Sequence, residues 1–294
     1  MNRNLILILE SFRNRDVTLL LNRGNRGDGV IHMGGRQLFS QLGLHWNEIH
    51  EDDENLADAK GDVLLVFGCG GLARSYQSLA QQAQRIAGNF KQIVLLPASF
   101  DLRSAPVLAY ARSWDHRYTI FCREMVSYDA LSKESGVRPK QILLGHDLAF
   151  HADLSSWANR SHKGVIGIIR RDKEATNDAF PTDIPIDDAS NGSETEPAGL
   201  LDCVAAHSII YTDRCHAAIT GAMMGRRVFF YRNNYFKNRA IYEHSLANFP
   251  NVSFTSASGS SLKRMALTWY WQTVRPWEMR ARRVLGGRRR PVTV

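Results

Sequence analysis

IIYTDRCHAAITGAMMGRRVFFYRNNYFKN, residues 209–238, reads as strand, helix and strand. Ile209, Ile210 and Tyr211 form a short β-branched and aromatic run, the composition of a buried strand. Thr212 or Asp213 is placed to cap a helix, and Ala217 to Met224 are good helix formers without a proline. Gly225 stops that helix, and Val228-Phe229-Phe230-Tyr231 is the next strand. Arg214 and His216 fall on the first helical turn, where unpaired amides and the positive end of the helix dipole favour an anion. Arg214 adds a planar fork for carboxylate or phosphate, and His216 adds a group that ordinarily titrates near neutrality. Asn234, Tyr235, Lys237 and Asn238 come after the second strand, at the carboxyl end where open α/β sheets bind ligands. The competing readings are structural: Arg214 as the cap of a neighbouring element, His216 as a satisfied core histidine.

A chain of 294 residues has room for two α/β domains. Its four cysteines, at 69, 122, 203 and 215, show neither C-x-x-C spacing nor companion histidines at metal spacing. They argue for a reducing compartment and against a disulfide or zinc framework. No apolar run approaches the roughly 20 residues of a membrane-spanning helix, and the Leu5–Leu9 run is too short for a signal-peptide core. The expectation is a cytoplasmic or peripheral protein. The net charge of +8 is concentrated at one end. Residues 263–294 hold nine Lys and Arg against Glu278 alone, leaving 28 basic and 28 acidic residues in the rest.

Taken in order, residues 2–13 fit either a short helix or a strand. Asp16 to Leu21 is the first core strand and feeds the glycine-rich loop from Asn22 to Gly29, ahead of a helical pattern at Val30, Met33, Leu38 and Leu42. The loop has neither the Gly-Lys-Ser/Thr of a Walker loop nor the dinucleotide spacing. Val63 to Phe67 is the next strand and enters a second glycine turn, Gly68-Cys69-Gly70-Gly71. Ile93 to Leu96 and Ile120 to Cys122 are further strands. Arg123, at the end of the last, is a second anion-binding candidate, with an internal salt bridge as the alternative. After a polar stretch at 153–163, Val165 to Ile169 opens the second half. The acidic, proline- and serine-bearing stretch from Asp172 to Glu196 reads as a mobile surface loop, not as a second site.

In order along the chain, several short patterns resemble the polysaccharide pyruvyl transferase family. They are Asn25-x-Gly27-Asp28, the Gly68–Gly71 turn, Pro97-Ala98-Ser99, Arg123-Glu124-x-x-Ser127 and Asp147-x-Ala149-Phe150. The series continues with Arg170-x-Asp172-x-Glu174, Asp213-Arg214-x-His216 and Asn234 with Lys237. The departures are Ala98 where the family has glutamine, His146 where proline is common and Cys215 where leucine is usual. The resemblance covers roughly Asp16 to Asn238. It implies two Rossmann-like α/β domains facing across a cleft, similar to the GT-B architecture, at 1–155 on the acceptor side and 156–262 on the donor side. It also implies transfer of the pyruvyl unit of phosphoenolpyruvate to a sugar as a 4,6-ketal. Terminal mannose on a lipid-linked exopolysaccharide repeat is the expected acceptor, as in xanthan-type enzymes.

On that resemblance His216, Arg214 and Asp28 are the expected catalytic residues. Arg123, Arg214, Lys237, Asn234 and Ser127 are expected to bind the donor, and Asn25, Gly27, Asp28, Gly70 and Gly71 the acceptor. No metal or other cofactor is expected. A GT-B-type glycosyltransferase using a nucleotide sugar is the alternative. It would want an acid after the strand that succeeds Gly225, where Asn233-Asn234 stands.

The tail, 263–294, carries Trp269, Trp277, Val284 and Leu285 at helical spacing beside Arg280, Arg282 and Arg283. An amphipathic basic helix of this kind suits an anionic membrane surface at the inner face of the cytoplasmic membrane. Packing on the body and, less favoured, nucleic-acid binding are the other readings; no nucleic-acid partner is expected.

Overall fold

The computed structural model of the chain describes residues 2–68, 72, 78–176, 180–181 and 183–255. Gly70, Gly71 and the tail 263–294 lie outside the described residues. Eleven described strands form two sheets, all of whose pairs are parallel. The first contains β1 (Val17–Leu21), β2 (Asn47–His50), β3 (Gly61–Val66), β4 (Phe90–Ala98), β5 (Tyr118–Cys122) and β6 (Gln141–Leu144), in the order β2-β1-β3-β4-β5-β6. The second contains β7 (Val165–Ile168), β8 (Ile186–Asp187), β9 (Ile209–Thr212), β10 (Arg227–Tyr231) and β11 (Val252–Thr255), in the order β11-β10-β9-β7-β8. Counted from its own first strand, each sheet runs second, first, third, fourth, fifth. Each therefore reverses its winding between its first and third strands, and ligands of open parallel sheets sit outside the carboxyl ends at that point.

The strands are apolar runs because both sheet faces are covered. All five residues of β1, of β5 and the four of β9 are buried. Around the first sheet lie α1 (Arg3–Glu10), α2 (Arg26–Gln41), α3 (Ser78–Ile86), α4 (Ala105–Arg112) and α5 (Met125–Lys133). The second half adds α6 (Ser155–Ala158), α7 (Ala198–Ala206), α8 (Cys215–Met223) and α9 (Lys237–Ile241). The undecided stretch at residues 2–13 is thus helical, with Leu5 and Leu9 buried one turn apart. Gly225 does end α8, in the left-handed region at φ +70°. Strand β2, Asn-Glu-Ile-His, was invisible to periodicity because only Ile49 is buried. Pro97 marks the register shift between β4 and β5, where a missing N–H breaks the ladder.

One apolar cluster runs from Leu5 and Leu9 through Val30, Leu38 and Phe67 to Leu201, Ala217, Ile219 and Phe230. Helix α2 packs on α7 and α8, so the two halves share a core as well as a chain. An apolar seam therefore joins the two halves. None of the described helices is long and apolar enough to cross a membrane.

Candidate active site

The four strand ends at the two switch points meet around one cavity of about 470 Å³. Asn22 to Asn25 and Asp28 come after β1, and Leu72, Ser78 and Leu79 after β3. From the other half come Arg170, Arg171, Asp172 and Glu174 after β7, and Arg214, Cys215 and His216 after β9, with Lys237 from the start of α9.

Helix α2 starts there because Asn25 and Asp28 form a capping box. The Asn25 side chain accepts the Gly27 N–H at 2.8 Å, and Asp28 Oδ2 accepts the Asn25 N–H at 2.9 Å. Asn25 and Asp28 line the cavity; Gly27 does not. A Cβ on Gly27 would stand 2.7 Å from His216 Nδ1, so the glycine is what lets this helix seat against the histidine. Asp28, expected as a catalytic base, has one carboxylate oxygen committed to its own cap. Glu51, just beyond β2, is better placed. It lines the cavity, its Oε1 accepts the Arg23 N–H at 3.1 Å, and its buried Oε2 has no partner.

In α8 the head position belongs to Arg214 itself, with Thr212 Oγ1 accepting the Arg214 N–H at 2.9 Å. The Arg214 fork lies on Asp188, Nε to Oδ1 at 2.9 Å and Nη2 to Oδ2 at 2.5 Å, while Nη1 reaches Asp172 Oδ2 at 2.7 Å. His216 Nε2 is turned inward, 3.5 Å from Asp147 Oδ2, a long separation for a hydrogen bond. Lys237 is buried and donates to Glu174 Oε2 at 2.8 Å, and Arg170 Nη1 binds the same oxygen. Burial raises the Glu174 carboxyl, but Lys237 and then Arg170 outweigh it and hold it at about 2.

The depressed Glu174 carboxyl links folding to acid. Its stabilising contribution is complete above its ordinary value of 4.5 and is lost as pH falls toward about 2. Glu174→Gln is therefore expected to flatten melting temperature against pH across that window. Parallel curves for the two proteins would refute the link. Asp213, beneath the cavity, goes the other way: burial pushes it up to about 6, although it accepts the Arg170 N–H at 2.9 Å.

Three expected donor-binding residues lie elsewhere. Arg123 is 1 % exposed and points into the body, donating to Asp147 Oδ2 at 2.7 Å and to Ser99 Oγ at 2.9 Å. The internal salt bridge, open as an alternative from sequence, is what forms, though with Asp147 and not with adjacent Glu124. Ser127 is wholly buried and bonds the Phe100 N–H and Glu124 at the head of α5. Asn234 is exposed and donates to the Lys173 carbonyl at 2.7 Å. None of the three lines the cavity. Nor does His146, which stacks on His244 with ring centroids 4.6 Å apart. Ala98, in place of the family glutamine, is fully buried behind Gly68.

The acidic stretch from Asp172 to Glu196 also departs from expectation. Its described part contains β8 and gives the cavity Asp188, Ser190, Asn191 and Gly192. Only partners distant in sequence show this, and an acidic composition alone gave no sign of it.

Arg23, Arg170, Arg171, Arg214 and Lys237 line the cavity against Asp28, Glu51, Asp172, Glu174 and Asp188, so the formal charges cancel. Among the described residues, Arg171 is the lining arginine that no carboxylate holds. The described residues contain no group of three or more His, Cys, Asp or Glu arranged to hold a metal ion. What the cavity offers is a cluster of cations, one histidine and, across from them, an under-satisfied carboxylate. This suits an anionic ligand on one wall and a hydroxyl-bearing ligand on the other.

The fold recurs in the crystal structure of a functionally uncharacterized protein from Klebsiella pneumoniae subsp. pneumoniae. That protein is 22% identical with a TM-score of 0.67, over 87% of this chain and 98% of that one. No curated protein matches the sequence. The family model for polysaccharide pyruvyl transferase matches residues 25–235, a span that begins at the cap of α2 and reaches the approach to Lys237. The chain belongs to the polysaccharide pyruvyl transferase family.

Proposed function

We propose that the protein transfers the pyruvyl unit of phosphoenolpyruvate to two hydroxyls of one sugar, closing a 4,6-ketal and releasing phosphate. Family membership supports pyruvyl transfer on a polysaccharide. The observation that carries the finer reading is the meeting of Arg214, Arg170, Lys237 and His216 from one half with Asn25, Asp28 and Glu51 from the other around one cavity. The donor carries a phosphate and a carboxylate, and Arg214, Lys237 and Arg171 supply cations for both. Arg123 and Ser127, being buried away from the cavity, have no direct part in this reading.

His216 delivers a proton to the methylene carbon, which becomes a methyl group and leaves the adjacent carbon electron-poor. A sugar hydroxyl adds its oxygen to that carbon and yields its proton to Glu51. The carbon–oxygen bond to phosphate then breaks and phosphate departs with the electron pair, taking the proton held by Glu51. The second hydroxyl closes the ring and gives its proton back to His216. Asp147 lies 3.5 Å from Nε2 of His216, and Nδ1 is the nitrogen assigned to exchange with the ligand. Terminal mannose on a lipid-linked repeat at the inner membrane face is the acceptor we favour. The basic aromatic tail, outside the described residues, supports that location by its composition.

The test is phosphate release from phosphoenolpyruvate, with and without a membrane extract carrying lipid-linked oligosaccharide. Acceptor-dependent release supports the reading. No release from phosphoenolpyruvate, with nucleotide released from a sugar nucleotide, would replace it with glycosyl transfer. Glu51→Gln is expected to lower turnover about 10²-fold with little change in donor affinity. Equal losses in turnover and donor binding would instead make Glu51 part of the donor wall.

A further inference from the structure

Arg214 already carries the ligand geometry expected of a donor. Asp188 occupies its fork through two near-parallel bonds, as the carboxylate or phosphate of an anionic substrate would. We infer that Asp188 is a specificity-determining residue: it stands in for the donor anion on Arg214 and gives way when the donor binds. The inference rests on the proposed reading of this cavity as the donor site.

The exchange asks only the Asp188 side chain to move, since the loop that carries it is otherwise anchored. The loop leaves the two-residue edge strand β8, crosses the cavity and bears Gly192 at φ +138°. On either side of Gly192 it is tied to the segment that opens α2. Glu194 Oε2 accepts the Gly24 N–H at 3.0 Å, and the Ser190 carbonyl accepts the Arg26 N–H at 3.1 Å. An anion that takes the fork releases Asp188 to water, while Asp172 keeps Nη1. Exchanging one carboxylate for another singly charged anion gains little. An anion with two or more charges has a further cation to meet in Arg171, which lines the same cavity and which no described carboxylate holds, and so outcompetes Asp188. The pair therefore selects multiply charged anions, and the ligand's contacts on Arg214 carry the cost of displacing Asp188.

Titration calorimetry on the full chain tests this with inorganic phosphate and, separately, phosphoenolpyruvate, for wild type and Asp188→Asn. The expected result is phosphate binding at least about fivefold tighter in Asp188→Asn. Unchanged or weaker phosphate binding in a variant with wild-type circular dichroism and melting would overturn the inference. Amide exchange on the wild-type chain gives an answer that does not depend on the variant folding. Saturating phosphate frees Asp188 of its tether to Arg214 and is expected to speed exchange at Asp188 and its chain neighbours; protection or no change there would overturn the inference. Tighter phosphate binding with no phosphoenolpyruvate binding in either protein would keep the role of Asp188 and remove the donor identity. Phosphoenolpyruvate binding that is indifferent to Asp188→Asn would do the reverse.

Discussion

Alanine in place of His216 is expected to cut turnover by about 10²-fold or more while leaving the fold and donor affinity close to wild type. The reason is positional. His216 lies on the first turn of α8, beside the Arg214 that would hold the donor, with Nε2 against Asp147 and Nδ1 toward α2. In the proposed reaction it is the group that protonates the methylene carbon. The anion's main contacts are to guanidinium and ammonium groups, so binding survives the change. Steady-state kinetics with calorimetric donor affinity separates the two quantities. Turnover near wild type would take His216 out of the mechanism, and loss of donor binding with unchanged turnover would make it a binding residue.

Asp147→Ala is expected to destabilise the protein by about 3–5 kcal/mol, because Arg123 is left charged and buried without its counter-ion. Both side chains of the pair are 1 % exposed. Burial raises the Asp147 carboxyl, but the neighbouring His216 and Arg123 prevail and hold it well below the usual carboxylate range. Its other oxygen accepts the Ala149 N–H at 2.9 Å, fixing the turn after β6. The melting temperature is expected to fall on the order of 10 °C. Replacing both partners, Arg123→Met with Asp147→Leu, is expected to recover much of the stability, since no unpaired charge remains. It is not expected to restore activity, because His216 still lacks its carboxylate. A single variant as stable as wild type would show that Arg123 finds another partner. Full activity in the double variant would show that Asp147 does not position His216.

Local pattern was enough to read the secondary structure around the site and the family motifs. Ile209–Tyr211, Val228–Tyr231 and Val17–Leu21 are strands because apolar, β-branched runs of that length bury on both faces of a parallel sheet. Gly225 is a stop because its backbone takes the left-handed region. Arg214, His216 and Lys237 were legible as cavity residues because their place at strand and helix ends is a local property of the chain. Side-chain direction was not legible in the same way. Arg123 also stands at a strand's carboxyl end, yet it turns inward because Asp147, 24 residues away, waits there. The Arg214 fork is filled by Asp188, 26 residues away, from a loop that composition alone marked as solvent-exposed. Glu51 comes after a strand too polar to register as one, and it meets the cavity only because β2 pairs beside β1. Local pattern sets the backbone through short-range sterics and burial, whereas charge pairing depends on which distant segments the folded sheets bring within a few ångströms. Which cations face the cleft, and which carboxylates hold them, follows from those long-range pairings.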